Sequence, residues 1–421
     1  MEIINTIIGL GASVMMPIIF FVVGLIFRMG IGKSFKAGMT VGVGFVGVNM
    51  VINLLLDNLG PASKAMVNRL GLHLTTVDVG WPTASTVGWG TPIMVATVVG
   101  FLVINAIMVF CKLTKTIDVD IFNYWIFLQV GALVYAVTGN FWFAVIFTWV
   151  IFAIVLKVAD LTAPYIQKEY NLEGISFPHL AGLAWSPLAI AVNWIIDKIP
   201  GLKNVDFNAD KIRKRIRLPL GEPVVIGFIL GLLIGVLAGY SPDKSVTLAI
   251  NIAAAMVLLP KMIDVLIEGL ISVRDAAEKQ LKIWFPNREF YIGMDTALLI
   301  GDSSVLATGL LLIPITILLA FILPGNEMLP FADLASLVFI LALVTPFVRR
   351  NMFKMLIVGT LSVIIILYVG TDIAPWVTQS FTQSNIDLPK DFTAVTNMTG
   401  AVSTWIGWVA VKIGELFNMI A

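Results

Sequence analysis

The sequence predicts an all-α polytopic membrane protein with about 11 transmembrane helices arranged as two inverted repeats. Three observations predict it. Hydrophobic residues make up 58% of the 421 and charged residues only 13%, about half the charged share of a soluble domain, so a water-facing globule has no room to hide them. The apolar residues fall in runs close to the length of about 20 that a helix needs to cross a hydrocarbon core about 30 Å thick. The basic residues then gather on one side of those runs, as the Lys and Arg excess of cytoplasmic loops requires.

Taken in order, the runs lie at about 6–27, 37–56, 91–111, 124–138, 141–157, 221–240, 245–263, 305–323, 335–348, 354–370 and 401–420. No basic residue precedes the first and no small-residue cleavage site follows it, so it reads as a retained span and not a signal peptide, with the mature chain starting at or near Met1. With the N-terminus outside and the C-terminus cytoplasmic, only Lys64, Arg69, Lys244 and Lys390 of the 27 Lys and Arg face outward, and Lys412 lies in the last span. Arg28, Lys33, Lys36, Lys279, Arg349, Arg350 and the rest face inward.

Two halves of the chain read as diverged copies. Gly32-Lys33-Ser34 before one apolar run corresponds to Asp243-Lys244-Ser245 before another. Val77-Asp78-Val79-Gly80-Trp81-Pro82 corresponds to Ile292-Gly293-Met294-Asp295-Thr296, and Asp160-Leu161-Thr162-Ala163-Pro164 to Asp372-Ile373-Ala374-Pro375. Five spans per copy is an odd number, which inverts the second copy relative to the first. Inverted repeats with broken helices point to alternating access around a site near the bilayer midplane. The expected division is residues 1–164 as the first repeat, 165–219 as a connector, 220–375 as the second repeat, and 376–421 as an external loop with the last helix. In the connector, Gly174-Ile175-Ser176-Phe177-Pro178-His179 leads into an apolar run of about 16 residues broken by Pro187, which reads as a re-entrant hairpin. Seven basic residues follow between Lys198 and Arg217.

Several classes of function are excluded at once. A net charge of +1 gives no basic face for nucleic acid. A single cysteine, Cys111, forbids an internal disulfide, and His73 with His179 does not make a metal cluster. No cofactor and no metal are expected. Gly42-Val43-Gly44-Phe45-Val46-Gly47 has the spacing of a dinucleotide fingerprint but no strand before it, so close helix packing explains it better, as for Gly227, Gly231 and Gly235. Gly32-Lys33-Ser34 lacks the first glycine of a phosphate loop, Phe27 standing in its place.

The candidates for function are polar groups inside apolar stretches, where an ionisable side chain is costly. These are His179 after Pro178, Asp295 and Asp302 seven residues apart, Asp78 with Trp81, and Asn140 in the interruption Thr138-Gly139-Asn140. Glu222 fits a helix start better. Carboxylates, amides and an aromatic ring such as Trp81 or Trp185 suit a polyol, whose hydroxyls both donate and accept and whose carbon face is apolar. His179 or Asp295 near a hydroxyl can also take its proton during phosphoryl transfer.

Leu54-Leu55-Leu56-Asp57-Asn58-Leu59-Gly60-Pro61-Ala62, Val77-Asp78-Val79-Gly80-Trp81-Pro82, Gly221-Glu222-Pro223-Val224, Pro324-Gly325-Asn326 and Leu329-Pro330-Phe331-Ala332-Asp333-Leu334-Ala335 resemble one family. It is the galactitol-specific IIC permease of the bacterial phosphoenolpyruvate-dependent phosphotransferase system. The resemblance runs to about residue 370. It implies a homodimer in the inner membrane, with an interface domain and a mobile core domain that carries the sugar alcohol across. It also implies that separate IIA and IIB proteins relay the phosphoryl group, IIB as a phosphocysteine; the basic 198–217 segment and the Arg349/Arg350 loop are the candidates for docking them. His179, Asp295 and Asn140, then Asp78 and Asp302, are the site residues it suggests; Asp302 stands where some relatives have histidine. An ion-coupled polyol transporter, and a permease for a pentitol such as arabinitol or ribitol, remain alternatives. A lipid-active intramembrane enzyme lacks the catalytic pair it would need.

Overall fold

Inside a bilayer every backbone N–H and C=O must be satisfied within its own segment, so long apolar runs become helices. The computed structural model describes residues 12–69, 71, 74–120, 123–205, 207, 223–285, 288–330, 332–384, 386 and 393–420. Most of the basic segment expected to dock partners, the first eleven residues, His73 and Glu222 therefore lie outside the described residues.

Helix α1 (Ala12–Ile26) turns through Arg28 and Gly30, both at positive φ, into α2 (Ile31–Arg69). At 1.5 Å per residue the 39 residues of α2 reach about 58 Å, nearly twice a hydrocarbon core. Strand β1 (Thr76–Asp78) follows, then α3 (Gly80–Gly90) and α4 (Met94–Phe110), bent 90° from one another. After β2 (Thr116–Asp118) come α5 (Tyr124–Thr138) and α6 (Phe141–Tyr170), separated by Gly139 at φ 63°, which ends α5 in the left-handed region. Strand β3 (Ile175–Ser176), the four-residue α7 (Leu180–Leu183) and α8 (Ser186–Lys198) complete the first part.

The second part opens with α9 (Pro223–Leu237) and the 43-residue α10 (Pro242–Trp284), then β4 (Tyr291–Gly293), a 3-10 turn and α11 (Ser303–Ile322). Strand β5 (Met328–Leu329), the five-residue α12 (Val338–Ala342) between two 3-10 turns, α13 (Met352–Gln383), β6 (Ala394–Thr396) and α14 (Trp405–Ile420) close the chain. Among the described residues six helices are long and apolar enough to cross a membrane, or seven if the bent α3–α4 pair is one span. The run at 335–348 is not a span: it breaks into α12 and its flanking turns. The run after His179, expected as a hairpin, is α7 and α8, which together are long enough to cross.

An all-helical chain was expected, yet two small parallel sheets are present. One has the order β5-β1-β6, pairing Thr76 with Met328 and with Ala394; the other has β2-β4-β3, pairing Ile292 with Ile117 and with Ile175. Strands of two or three residues are too short to show the alternation over four to eight residues that marks a strand in sequence. In each sheet the middle strand comes from one half of the chain and both its neighbours from the other. The long helices α6 and α13 also match: Asn140 and Asn351 cap them by accepting main-chain N–H groups, and each carries a proline, Pro164 and Pro375, near its far end.

Helices α2 and α10 lie antiparallel. Asn251 donates to Asn58 Oδ1 at 2.7 Å, and a Cβ on Gly44 would stand 2.5 Å from the Leu266 Cα. A Cβ on Gly231 would come equally close, 2.5 Å, to the Ala249 Cα across the α9–α10 contact. The fingerprint-like glycines therefore serve helix packing, as expected. Along α6, Trp142, Ile146, Val150, Ile154 and Leu161 are all more than half exposed, an apolar stripe suited to lipid.

Candidate functional site

Both sheets end in buried polar clusters, and α5 runs between them. In the β2-β4-β3 sheet, Gly293 is where the strands converge: a Cβ there would stand 2.9 Å from the Asp118 Cα and 3.0 Å from the Pro178 Cγ. Asn105 fastens β2 by donating to the Thr116 carbonyl at 2.9 Å and accepting from the Asp118 N–H at 3.0 Å. Past the strand ends, Asp118 accepts from the Asp120 N–H, and Asp120 accepts from the Asn123 amide at 3.0 Å. His179 accepts the Gly182 N–H on Nδ1 at 3.0 Å and so caps α7. With Nδ1 committed as acceptor, Nε2 carries the proton in the neutral ring and is the atom left to donate. Asp295 accepts the Ala297 N–H at 2.8 Å and lies within electrostatic reach of both His179 and Asp120.

In the β5-β1-β6 sheet, Asp78 and Asp333 are fully buried. Asp78 accepts main-chain N–H groups from Gly80, Met398 and Asp333 at 3.2, 2.9 and 2.6 Å. Asp333 accepts from the Trp81 N–H at 2.9 Å, the Thr399 N–H at 3.0 Å, the Thr399 hydroxyl at 2.8 Å and the Asn397 amide at 2.6 Å. Two carboxylates thereby pin three separate chain segments, using atoms that a buried acid must have satisfied.

Helix α5 links the clusters. The Trp81 and Trp125 rings stand 6.4 Å apart, and one turn along α5 is Gln129. A Cβ on Gly400 would collide with Asn397 Oδ1 and stand 2.7 Å from Gln129 Oε1, so those two side chains meet at this glycine. Trp81 Nε1, Tyr124 Oη, both polar atoms of Gln129 and Asn397 Oδ1 are buried without a hydrogen-bond partner. Native interiors leave few such atoms; here Tyr124 and Gln129 of α5 group with Trp81 of α3 and with Asn397. Indole N–H and amide donors with carbonyl acceptors match the dual character of hydroxyls.

The expected site residues are thus divided. His179 and Asp295 come together, joined by Asp118, Asp120 and Asn123; Asp78 and Trp81 come together at the other cluster, with Asp333. Asn140 is exposed and its side-chain oxygen caps α6 through the Phe143 N–H, so the interruption it marks does not aim an amide at either cluster. Asp302 caps α11 and pairs with Arg350 at 3.2 Å, and Arg350 also reaches Glu169 at 3.2 Å. Trp185 is wholly buried in the core. Gln129 and Asn397 were missed. An amide inside the otherwise apolar run from Tyr124 to Val137 was a legible signal for Gln129; nothing in the sequence pairs Asn397 with it. Among the described residues no group of three or more His, Cys, Asp or Glu is placed to hold a metal ion.

Apolar helices, chain breaks buried between them and polar side chains gathered at those breaks define a membrane transport protein. The family model for the PTS system sugar-specific permease component, EIIC-GAT, matches residues 6–391, and the chain belongs to this family. A putative permease IIC component of Escherichia coli strain K12 is 39% identical over 413 residues, covering 98% of this chain and 93% of its own. The PTS system galactitol-specific EIIC component of the same strain is 37% identical over 405 residues, covering 96% and 90%. Its counterpart in E. coli O157:H7 matches to the same extent.

Proposed function

We propose that the chain translocates galactitol across the inner membrane and presents it to a phosphorylated IIB protein, itself charged through IIA, for phosphorylation. The observation that carries this reading is the row of unpartnered buried groups, Trp81 Nε1, Gln129 and Asn397 Oδ1, in a chain resembling a galactitol-specific component along almost its whole length. Trp81 offers an apolar ring to the carbon chain, while Gln129 and Asn397 exchange hydrogen bonds with hydroxyls. His179 and Asp295 are the pair assigned to the hydroxyl that accepts the phosphoryl group. Asp295 takes its proton as the O–P bond forms and the S–P bond of phospho-IIB breaks, the electron pair staying on the IIB sulfur; His179 Nε2 steadies the charge. Asp78, Asp333 and Asp302 hold the framework.

Two inverted repeats moving by an elevator-type alternating access complete the proposal. The exchange of middle strands between the halves and the matching caps and prolines of α6 and α13 support it. The reading keeps the N-terminus outside, the C-terminus cytoplasmic and a homodimer as the working unit.

Inverted vesicles containing the chain, supplied with radiolabelled galactitol, phosphoenolpyruvate, IIA and IIB, test it directly. Galactitol phosphate should form only when chain and relay are all present. Accumulation in right-side-out vesicles driven by an ion gradient, with no phosphorylated product, would replace the coupling proposed here.

A further inference from the structure

The turn between α1 and α2 and the far half of α10 enclose a cleft of about 520 Å³, within the range of small-molecule sites and away from both polar clusters. Arg28, Lys33, Lys36 and Lys279 line it, all exposed, against one carboxylate, Glu268. Among the described residues none of the four cations is paired with a carboxylate. At its base is Gln280, only 6% exposed, whose Nε2 is buried with no partner. An amide donor and four cations around one cavity call for an oxyanion.

The mouth of the cleft says which kind. Arg28 stands two residues past the apolar α1, so the turn sits where apolar helix gives way to charge, the boundary at which headgroups lie. Ile18, Val22, Leu25 and Ile26 of α1, 52%, 46%, 39% and 55% exposed, form an apolar strip that runs up to the turn walling the cleft. A free phosphate has no use for such a strip, whereas acyl chains do. We propose that this cleft binds the phosphate headgroup of an anionic phospholipid, with Gln280 and the four cations on the phosphate and the acyl chains along the apolar strip of α1. The assignment does not depend on the substrate or on which side of the membrane the turn faces.

The test is native mass spectrometry of the purified full chain, delipidated and titrated with dioleoylphosphatidylglycerol, dioleoylphosphatidylcholine or inorganic phosphate. Phosphatidylglycerol should be retained in preference to phosphatidylcholine. The double change Lys33→Gln with Lys36→Gln, both in exposed positions, should weaken retention about 25-fold, at about fivefold per cation. Gln280→Leu should weaken it as well, at unchanged melting temperature. Equal retention of the two lipids, an unaffected Lys33/Lys36 variant, or binding of inorganic phosphate that displaces phosphatidylglycerol at millimolar concentration would each overturn the proposal.

Discussion

Replacing Asp333 by alanine removes the acceptor for four donors: the main-chain N–H groups of Trp81 and Thr399, the Thr399 hydroxyl and the Asn397 amide. Each lies inside a site from which water is excluded, and a buried polar group left without a partner costs about 1–3 kcal/mol. Even if one donor in three finds a new acceptor, the loss is about 3–8 kcal/mol, comparable with the whole stability of a typical domain. Asp333→Ala should therefore fail to accumulate as a monodisperse protein in detergent. Asp333→Asn is the informative partner. Three of the four bonds converge on Oδ2, and an amide oxygen placed there keeps them, while the new NH₂ faces the Trp81 N–H and loses one. That single loss of about 1–3 kcal/mol predicts a melting temperature lowered by roughly 2–6 °C. Fluorescence-detected size exclusion after heating measures both variants. An Asp333→Ala protein of normal yield, melting within about 2 °C of the parent, would refute the view that this carboxylate holds three chain segments together.

Gly231→Leu drives four side-chain carbons into the Ala249 backbone and should disperse the α9–α10 contact, read as loss of the monodisperse peak, whereas Gly201→Ala alters no such contact, with nothing within 4 Å of its Cβ position, and meets only the strain of its positive φ. At His179 the cap and the Nε2 donor can be separated: asparagine restores an N-cap acceptor but not the imidazole, so His179→Asn should keep thermal stability and lose galactitol phosphorylation by 100-fold or more, within the span usual for a positioned acid or base. Gln129→Leu should lower galactitol affinity by about tenfold, read by isothermal titration, with little change in melting temperature because the amide has no protein partner to forfeit. At the surface, the hydrogen bond from Lys115 holds the Glu289 carboxyl below its usual range, and Glu289 holds Lys115 above its own. Their attraction is therefore present at neutral pH, fades as pH falls through the depressed Glu289 value or rises through the raised Lys115 value, and in so exposed a pair should leave the melting temperature of Glu289→Gln unchanged at pH 7.

Much of the helical framework was legible because lipid makes the rule severe: a run such as Ser303–Ile322 or Tyr124–Thr138 has no alternative to helix. The packing role of Gly44 and Gly231 was legible for a related reason, since small residues within spans mark close backbones. The sheets were not, because Met328-Leu329 and Ile175-Ser176 gain their strand character from partners more than a hundred residues away in the chain. Ends of long helices were misjudged where Lys and Asp begin to alternate with apolar residues: α10 continues past its apolar run to Trp284. His179 and Asp295 stood out as polar groups in apolar surroundings, and the structure brings them together. Asn140 stood out by the same rule and proved to be a cap, because that rule reports the cost of a polar side chain, which a helix end can also repay.

The placement of β1 between β5 and β6 has a consequence for how the chain is made. When Thr76–Asp78 has left the ribosome, its neighbours Met328–Leu329 and Ala394–Thr396 do not yet exist, and the carboxylate of Asp78 meets the Met398 N–H across 320 residues of chain. The earliest strand must wait in the membrane, its edges open, until synthesis is almost complete, and β4 arrives to find β2 and β3 already waiting. Neither half can finish its own sheet. A chain cut short before Ala394 is thus left with an unpaired strand edge near its beginning, however complete the helices around it.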